Sequence, residues 1–193
     1  MVEVIIQDSI PRYKVFYEGG LIINLSRLGF EFKNAEAMDE NFRTIKITHR
    51  AIDEQWKPVY GTASLIRNHF NELTASLEGM SSLKREMDLI FRVYDDGIGF
   101  RCVLPEQSNL QDFEIIFEET QFRFTDNHAV WWIPADYDSY EHLYSQTLLN
   151  EACKLEDVSW IQLMKYMGIW WGGHAHRYGK LGTGALSWRR NEE

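Results

Sequence analysis

The densest group of chemically active side chains lies at residues 67–72, which read Arg-Asn-His-Phe-Asn-Glu. In an extended strand, successive side chains point to opposite faces of the sheet. One face would carry Arg67, His69 and Asn71, and the other would carry Asn68, Phe70 and Glu72. Amides and charged donors beside aromatic rings are typical of a carbohydrate site, but an internal hydrogen-bond network at a sheet edge has the same composition. The residues alone leave both interpretations open.

Two further groups could bind a metal ion or supply an acid and a base. Asp136, Asp138 and Glu141 could ligate Ca²⁺ through oxygen or form the carboxylate pair of a glycosidase. The start of a helix with an N-cap accounts for the same residues. His174 and His176 could contribute two metal ligands in an extended segment, but the spacing places no third ligand. For both groups we favour the structural interpretation.

Seven tryptophans occur in 193 residues, and four of them form the pairs Trp131-Trp132 and Trp170-Trp171. In a strand, one member of each pair would point inward and the other outward. Outward aromatic faces stack on sugar rings, and they also pack sheets and domains against one another. We therefore include both pairs among the candidate carbohydrate-binding residues.

The composition limits the class of protein. The chain carries 20 Lys and Arg against 29 Asp and Glu, a net charge of -9, and shows no basic stripe, so we expect no nucleic-acid partner. No apolar run approaches the roughly 20 residues that cross a bilayer, so we expect no membrane partner. Cys102 and Cys153 are too few for a disulfide scaffold. The first residues lack the basic and apolar regions of a signal peptide, which predicts a cytoplasmic location.

Most of the sequence alternates with a period of two, which predicts short strands and a mainly β, antiparallel sandwich. The strongest hairpin signal joins alternating runs at 87–94 and 98–104 across Asp95-Asp96-Gly97, where glycine would supply a positive φ. Residues 138–147 are the best helix candidate. The apolar run 165–171 is typical of a strand buried in a parallel sheet. Further strands are expected at 2–7, 13–17, 21–23, 28–32, 42–49, 73–77, 113–117 and 121–132.

Three longer segments resemble the amino-terminal domain of glycoside hydrolase family 97. They are residues 56–61 (WKPVYG), 66–73 (IRNHFNEL) and 132–141 (WIPADYDSYE), and the resemblance covers roughly residues 10–147. Residues 153–172 are similar to the start of that family's (β/α)8 barrel and to its first strand. The resemblance implies a galactose-mutarotase-like β-super-sandwich at 1–147, then a connector and an orphaned first barrel strand within 148–193.

What the family implies is an exo-acting α-glucosidase or α-galactosidase, often calcium-dependent and exported. Its acid and base lie on later barrel strands, and its amino-terminal domain contributes a calcium-ligating glutamate. Too few residues follow Leu155 for a barrel, which takes about 250 residues. We also infer an internal deletion near 145–149 that removes the glutamate. The resemblance therefore predicts a truncated chain with no catalytic residue, no metal site and no cofactor.

The expected function is that of a non-catalytic amino-terminal fragment of a family 97 α-glycosidase, which at most binds α-linked oligosaccharide. One alternative is a mutarotase or epimerase with His69 as acid and Glu72 as base, although the two lie on opposite faces of a strand. Another is a structural interaction module. Missing strands would leave an open sheet edge, so we expect a homodimer through residues 160–175. The candidate binding residues are Arg67, Asn68, His69, Asn71, Glu72, Trp131, Trp132, Trp170 and Trp171.

Overall fold

The structure is a computed structural model that describes the backbone of residues 1–134, 141–152, 158–165, 169–174 and 188–189 and the side chains of residues 1–133 and 141–152. Most of this backbone is strand. The elements are β1 (Val2–Gln7), β2 (Ile10–Tyr17), β3 (Gly20–Arg27), β4 (Phe30–Phe32), β5 (Phe42–Trp56), β6 (Ile66–Gly79), β7 (Glu86–Val93), β8 (Ile98–Val103), β9 (Ile115–Glu118), β10 (Arg123–Phe124), β11 (Ala129–Pro134), β12 (Ser145–Leu148), α1 (Leu149–Ala152), β13 (Val158–Lys165), β14 (Ile169–His174) and β15 (Trp188–Arg189).

The chain forms two compact units, and each is interrupted in sequence by part of the other. Unit 1 comprises Met1–Ile10 and Glu40–Asp112, and unit 2 comprises Pro11–Asp39 and Phe113–Glu193. Unit 1 contains β1 and a sheet of strand order β5-β6-β7-β8. Unit 2 contains the strand orders β2-β3-β10, β12-β11-β13-β14 and β15-β9-β4. The domain boundary expected at 147/148 stays a prediction, and strands β11 and β13 from its two sides pair in one sheet.

The mainly β, antiparallel fold class is confirmed, since the strand pairings resolved among the described residues are antiparallel. A strand is present in each segment where one was expected, although several differ in extent, and the strand expected at 73–77 begins at Ile66 as β6. The strand expected at 42–49 continues as β5 to Trp56, and the one expected at 121–132 divides into β10 and β11.

Alternation of apolar side chains builds the core of unit 1. The register of β6 and β7 places Leu77 opposite Met87, and both are fully buried. Residues that lie opposite in an antiparallel pair project to the same face, so the apolar side chains of neighbouring strands form one surface. Phe91 and Phe100 lie opposite on β7 and β8, and their rings stack with centroids 5.1 Å apart.

The predicted hairpin at 87–104 is confirmed as β7–β8, but the reason given for its turn is wrong. Gly97 does not have a positive φ, and the four-residue connection is closed by Tyr94 N–H, which donates to the carbonyl oxygen of Gly97 at 2.8 Å. One hairpin turn that does have positive φ angles lies between β2 and β3, at Glu18 (φ 47°) and Gly19 (φ 78°). Two consecutive positive φ angles match the right-handed twist of the strands that the turn joins.

The helix predicted at 138–147 is wrong where the structure describes it. Residues 141–144 have no regular secondary structure, Ser145–Leu148 is strand β12, and the short helix α1 follows at 149–152. Strand β12 pairs with β11, with Trp132 opposite Ser145 and Ala129 opposite Leu148. The backbone pairing with a distant strand overrides the weak local preference for a helix. Residues 135–140, with Asp136 and Asp138, lie outside the described residues.

The single parallel strand predicted at 165–171 is also wrong. Lys165 ends β13 and Ile169 begins β14, and these two residues lie opposite each other in an antiparallel pair. Residues 166–168 are outside the described residues. A short apolar run cannot by itself distinguish a parallel from an antiparallel strand. Here the apolar run spans the junction between two strands.

Unit 2 has a core of its own, centred on Tyr13 of β2. Tyr13 is fully buried, and so is Ser26, the residue opposite it on β3. The Tyr13 hydroxyl donates a hydrogen bond to the carbonyl oxygen of Gln121 at 2.7 Å. Its ring meets that of Phe122 edge to face, with centroids 6.3 Å apart. The aromatic contact and the buried hydrogen bond join the β2–β3 hairpin to the segment before β10.

Candidate functional site

Two long strands, β5 and β6, position the polar cluster at 67–72. Their register is continuous from the Trp56–Ile66 pair to the Ile47–Ala75 pair, so side-chain alternation holds throughout the cluster. Strand β7 pairs with the other edge of β6 from Asn71 onward. The six side chains therefore divide between two faces of unit 1 as the sequence predicts.

Glu72 is the buried centre of one face. It lies opposite Arg50 on β5 and Arg92 on β7, and its side chain is only 6% exposed. Arg50 donates from Nε to Oε1 at 2.5 Å and from Nη2 to Oε2 at 3.0 Å. Arg92 donates from Nε to Oε2 at 2.7 Å. Both carboxylate oxygens are thus hydrogen-bonded to charged donors, which are the strongest kind.

These hydrogen bonds fix the charge of Glu72. The hydrogen bond from Arg50 lowers the pKa of the carboxyl group to about 2, against the opposing effect of burial, and Arg92 adds to the lowering. The same contact with Glu72 raises the pKa of Arg50 and of Arg92. At neutral pH Glu72 is an ionised carboxylate held between two guanidinium groups, and it has no proton to give.

Aromatic rings complete this face. The guanidinium carbon of Arg92 lies 4.5 Å from the ring centroid of Phe70, and the rings of Phe70 and Tyr94 are 5.3 Å apart. Phe70 is buried. Asn68 donates from Nδ2 to Oε1 of Glu54 at 2.6 Å. Cation–π and charge-assisted contacts of this kind hold the side chains in one arrangement.

The opposite face carries the more exposed members of the cluster. Arg67 makes a two-pronged hydrogen bond to Asp53, with Nε to Oδ1 at 2.8 Å and Nη2 to Oδ2 at 2.6 Å. This contact lowers the pKa of Asp53. His69 Nδ1 lies 3.6 Å from Oδ2 of Asp95. Asn71 is exposed and lines a depression of about 540 Å³ whose lining also includes Ala51, Arg50 and Glu72.

His69 and Glu72 cannot act together on one substrate atom, because they project from opposite faces of β6. The structure therefore bears out the objection to the mutarotase alternative that the alternation had raised. The sequence alone did not indicate the two partners of Glu72. Arg50 lies one residue beyond the strand expected at 42–49, and Arg92 was assigned only to an alternating run. Only the register of three strands could have shown that both meet Glu72.

The tryptophan pairs belong to unit 2. Trp131 and Trp132 are half-buried on β11, and the Trp132 indole Nε1 donates to Oγ1 of Thr147 at 3.2 Å. Trp170 and Trp171 lie on β14, two strands from β11 in the order β12-β11-β13-β14. The side chains of β14 are outside the described residues. The structure therefore places the four tryptophans in one sheet, apart from the strand that carries the 67–72 cluster.

The described residues contain no group of three or more His, Cys, Asp or Glu that could hold a metal ion. Glu141 is exposed, whereas Asp136, Asp138 and His176 lie outside the described residues. Cys102 is half-buried on β8. No helix in the described part of the chain is long and apolar enough to span a membrane.

Comparison with known proteins gives consistent matches. The model of the glycosyl-hydrolase 97 N-terminal domain matches residues 1–170. A retaining alpha-galactosidase of Bacteroides thetaiotaomicron is 26% identical over 112 residues, which is 58% of this chain and 16% of that protein. The chain thus matches about a sixth of the length of this curated relative.

Solved structures agree with the family match. Structures of a family 97 enzyme from Pseudoalteromonas sp. strain K8, in complex with panose and with acarbose, superpose with a TM-score of 0.74 at 24% identity, covering 97% of this chain and 33% of that one. A beta-arabinopyranosidase gives a TM-score of 0.61 at 26% identity, over 74% of this chain and 22% of that one. The chain therefore belongs to glycoside hydrolase family 97, and it corresponds to the N-terminal domain of that family.

Proposed function

We propose that this chain is a non-catalytic N-terminal domain of a family 97 glycoside hydrolase, and that its direct contribution to substrate is at most the binding of α-linked oligosaccharide. The observation that carries the proposal is the state of Glu72. It is the buried carboxylate of the candidate cluster, and Arg50 and Arg92 occupy both of its oxygens. A general acid or base needs a pKa near the working pH, and a pKa of about 2 is far below it.

The geometry disfavours a sugar mutarotase or epimerase. Such an enzyme needs an acid and a base that flank one anomeric carbon. His69 is the acid of that alternative, and its side chain lies on the face opposite to Glu72. This separation does not depend on the ion pairs of Glu72, so their loss would not bring His69 and Glu72 to the same side of the sheet.

The relatives suggest the class of ligand. The Pseudoalteromonas enzyme is described in complex with panose and acarbose, and the Bacteroides relative is an alpha-galactosidase. Within unit 1, the side chains of Arg67, His69 and Asn71 are accessible to a ligand, because they are exposed or half-buried. The depression beside Asn71 has room for a sugar ring and presents a neutral amide, a group suited to hydrogen bonding with sugar hydroxyls.

The first test is an assay for glycosidase activity. We expect the purified chain to release no nitrophenol from nitrophenyl α-glucoside or nitrophenyl α-galactoside, with or without CaCl₂, because Glu72 cannot exchange a proton at neutral pH. Hydrolysis above the blank that follows the protein through two purification steps would overturn the non-catalytic assignment.

The second test is calorimetric titration with panose. We expect weak, saturable binding that Asn71→Ala reduces at least several-fold, while the same change at the exposed Asn24 of β3, in unit 2, leaves it unchanged. If panose gave no heat with the original chain, the carbohydrate-binding part of the proposal would be refuted and a structural interaction module would remain. Equal loss in both variants would place the binding site elsewhere.

A further inference from the structure

Two arginines lie side by side on the outer face of the β2–β3 hairpin. Arg12 is directly opposite Arg27 in the antiparallel ladder, next to the pair formed by Tyr13 and Ser26. Tyr13 and Ser26 are fully buried and project to the other face, since neighbouring residues of a strand alternate. Opposite positions bring the two Cβ atoms to about 4.5–5.5 Å, and like charges at such positions destabilise a sheet.

The protein satisfies only part of the hydrogen-bonding capacity of this pair. Arg27 donates from Nη2 to Oδ2 of Asp39 at 3.1 Å. The Nε atoms of Arg12 and Arg27 are both buried, and neither has a hydrogen-bond partner in the part of the chain that the structure describes. A buried donor without an acceptor is costly and is rare in folded proteins. Two such atoms on opposite residues point to one common cause.

The surrounding backbone holds the pair firmly. Leu28 N–H donates to the carbonyl oxygen of Pro11 at 3.0 Å, which fixes the register beside the two arginines. Asp39 is held against Gly29 so closely that a Cβ on Gly29 would lie 2.5 Å from the Asp39 Cα. Asp39 can therefore reach Arg27 because residue 29 has no side chain. Among the described residues, the cluster has two guanidinium groups and one carboxylate, which leaves one positive charge without a counterion there.

We propose that Arg12 and Arg27 together bind one oxyanion, of the carboxylate or phosphate class, across the β2–β3 ladder. The oxyanion would bridge the two guanidinium groups, and its negative charge would offset the repulsion between them. Guanidinium donors match the geometry of carboxylates and phosphates. A water molecule could accept the hydrogen bonds but would leave the charges unbalanced. The proposal is independent of the carbohydrate-binding function, since all of its residues lie in unit 2.

Thermal unfolding at constant ionic strength tests the proposal, with sodium sulfate and sodium acetate each compared with sodium chloride. A ligand that binds only the folded state raises the melting temperature with a saturating dependence on concentration. We expect such a rise of a few degrees at millimolar sulfate, acetate or both. Sulfate alone would identify a phosphate-type site, and acetate alone a carboxylate site. Exclusion of sulfate from the protein surface also stabilises proteins, but that effect does not saturate at these concentrations.

Arg12→Gln should abolish the saturable rise, and Arg123→Gln on the neighbouring strand β10 should retain it. Isothermal titration of the unchanged protein with sodium sulfate and sodium acetate provides a second measurement that does not depend on how any variant folds. An equal response to all three salts, or a saturable response that survives in Arg12→Gln, would overturn the proposal. Absence of heat with both oxyanions would do the same.

Discussion

Replacing Glu72 by glutamine tests the ion-pair cluster of unit 1 most directly. The change keeps the size of the side chain and its place opposite Arg50 and Arg92, but it removes the negative charge. Two guanidinium groups would then flank a neutral amide. One carboxylate oxygen would become an NH₂ group, which cannot accept the hydrogen bonds that Oε1 or Oε2 accepts now.

The pKa of Glu72 sets the size of the expected loss of stability. It is about 2, against 4.5 for an ordinary glutamate, and each unit of difference corresponds to about 1.4 kcal/mol, so the ionised form contributes at most about 3.5 kcal/mol. Arg50 and Arg92 are 57% and 36% exposed, and water screens their charges. We therefore expect Glu72→Gln to lower the free energy of unfolding at pH 7 by about 1–3 kcal/mol.

The lowered pKa also determines how the stabilisation by Glu72 changes with pH. The folded state lowers the pKa of Glu72, so its stabilisation is complete above pH 4.5 and is lost as the pH falls towards 2. The difference in stability between the original chain and Glu72→Gln should shrink across that interval. Urea unfolding followed by circular dichroism, repeated between pH 7 and pH 2.5, measures it.

Asp53→Asn is the matched control, because Asp53 also pairs with an arginine across β5 and β6 but is 53% exposed. It should show a clearly smaller effect at pH 7. The reasoning would be refuted if Glu72→Gln unfolded at the same urea concentration as the original chain at pH 7. A difference that grew as the pH fell would refute it equally.

Three further predictions concern other parts of the chain. Gly29→Ala should lower the free energy of unfolding by about 1–3 kcal/mol, because the new Cβ would overlap Asp39. Calorimetry should show a lower melting temperature, and an unchanged melting temperature would contradict this. Millimolar CaCl₂ should leave the melting temperature unchanged. A hard cation takes about six to eight oxygen ligands, and the described residues contain no group of three or more His, Cys, Asp or Glu that could hold one; a rise that a chelator reverses would contradict this. Light scattering should give the mass of a homodimer assembled through residues 160–175, where β14 lies at one end of its sheet order; a monomer mass at tens of micromolar would refute it.

Local alternation was enough to predict the two faces of the 67–72 cluster. The direction of a side chain in a strand depends only on whether its position is odd or even, and the register of β6 contains no irregularity between Ile66 and Ala75. The separation of His69 from Glu72 was therefore available without a structure.

The contacts of Glu72 were not predictable in this way. They depend on how β5 and β7 align with β6, and the alignment is set by connections whose length and conformation the alternating pattern does not encode. The helix expected at 138–147 failed for a related reason. Residues 145–148 pair with β11, and the sequence around Ser145 does not indicate that pairing.

The interleaving of the two units has a consequence for the order in which the chain can fold during synthesis. Unit 1 has all of its residues once Asp112 has been made, and β5, β6, β7 and β8 pair with neighbours in sequence. The core of unit 2 can form only later, because the hydrogen bond from Tyr13 to Gln121 joins residues 108 positions apart. Contacts between distant positions form late, since the intervening loop must first be closed. On the ribosome, β2 and β3 therefore emerge before the segment Glu40–Asp112 of unit 1 and are buried only after Gln121 has been made.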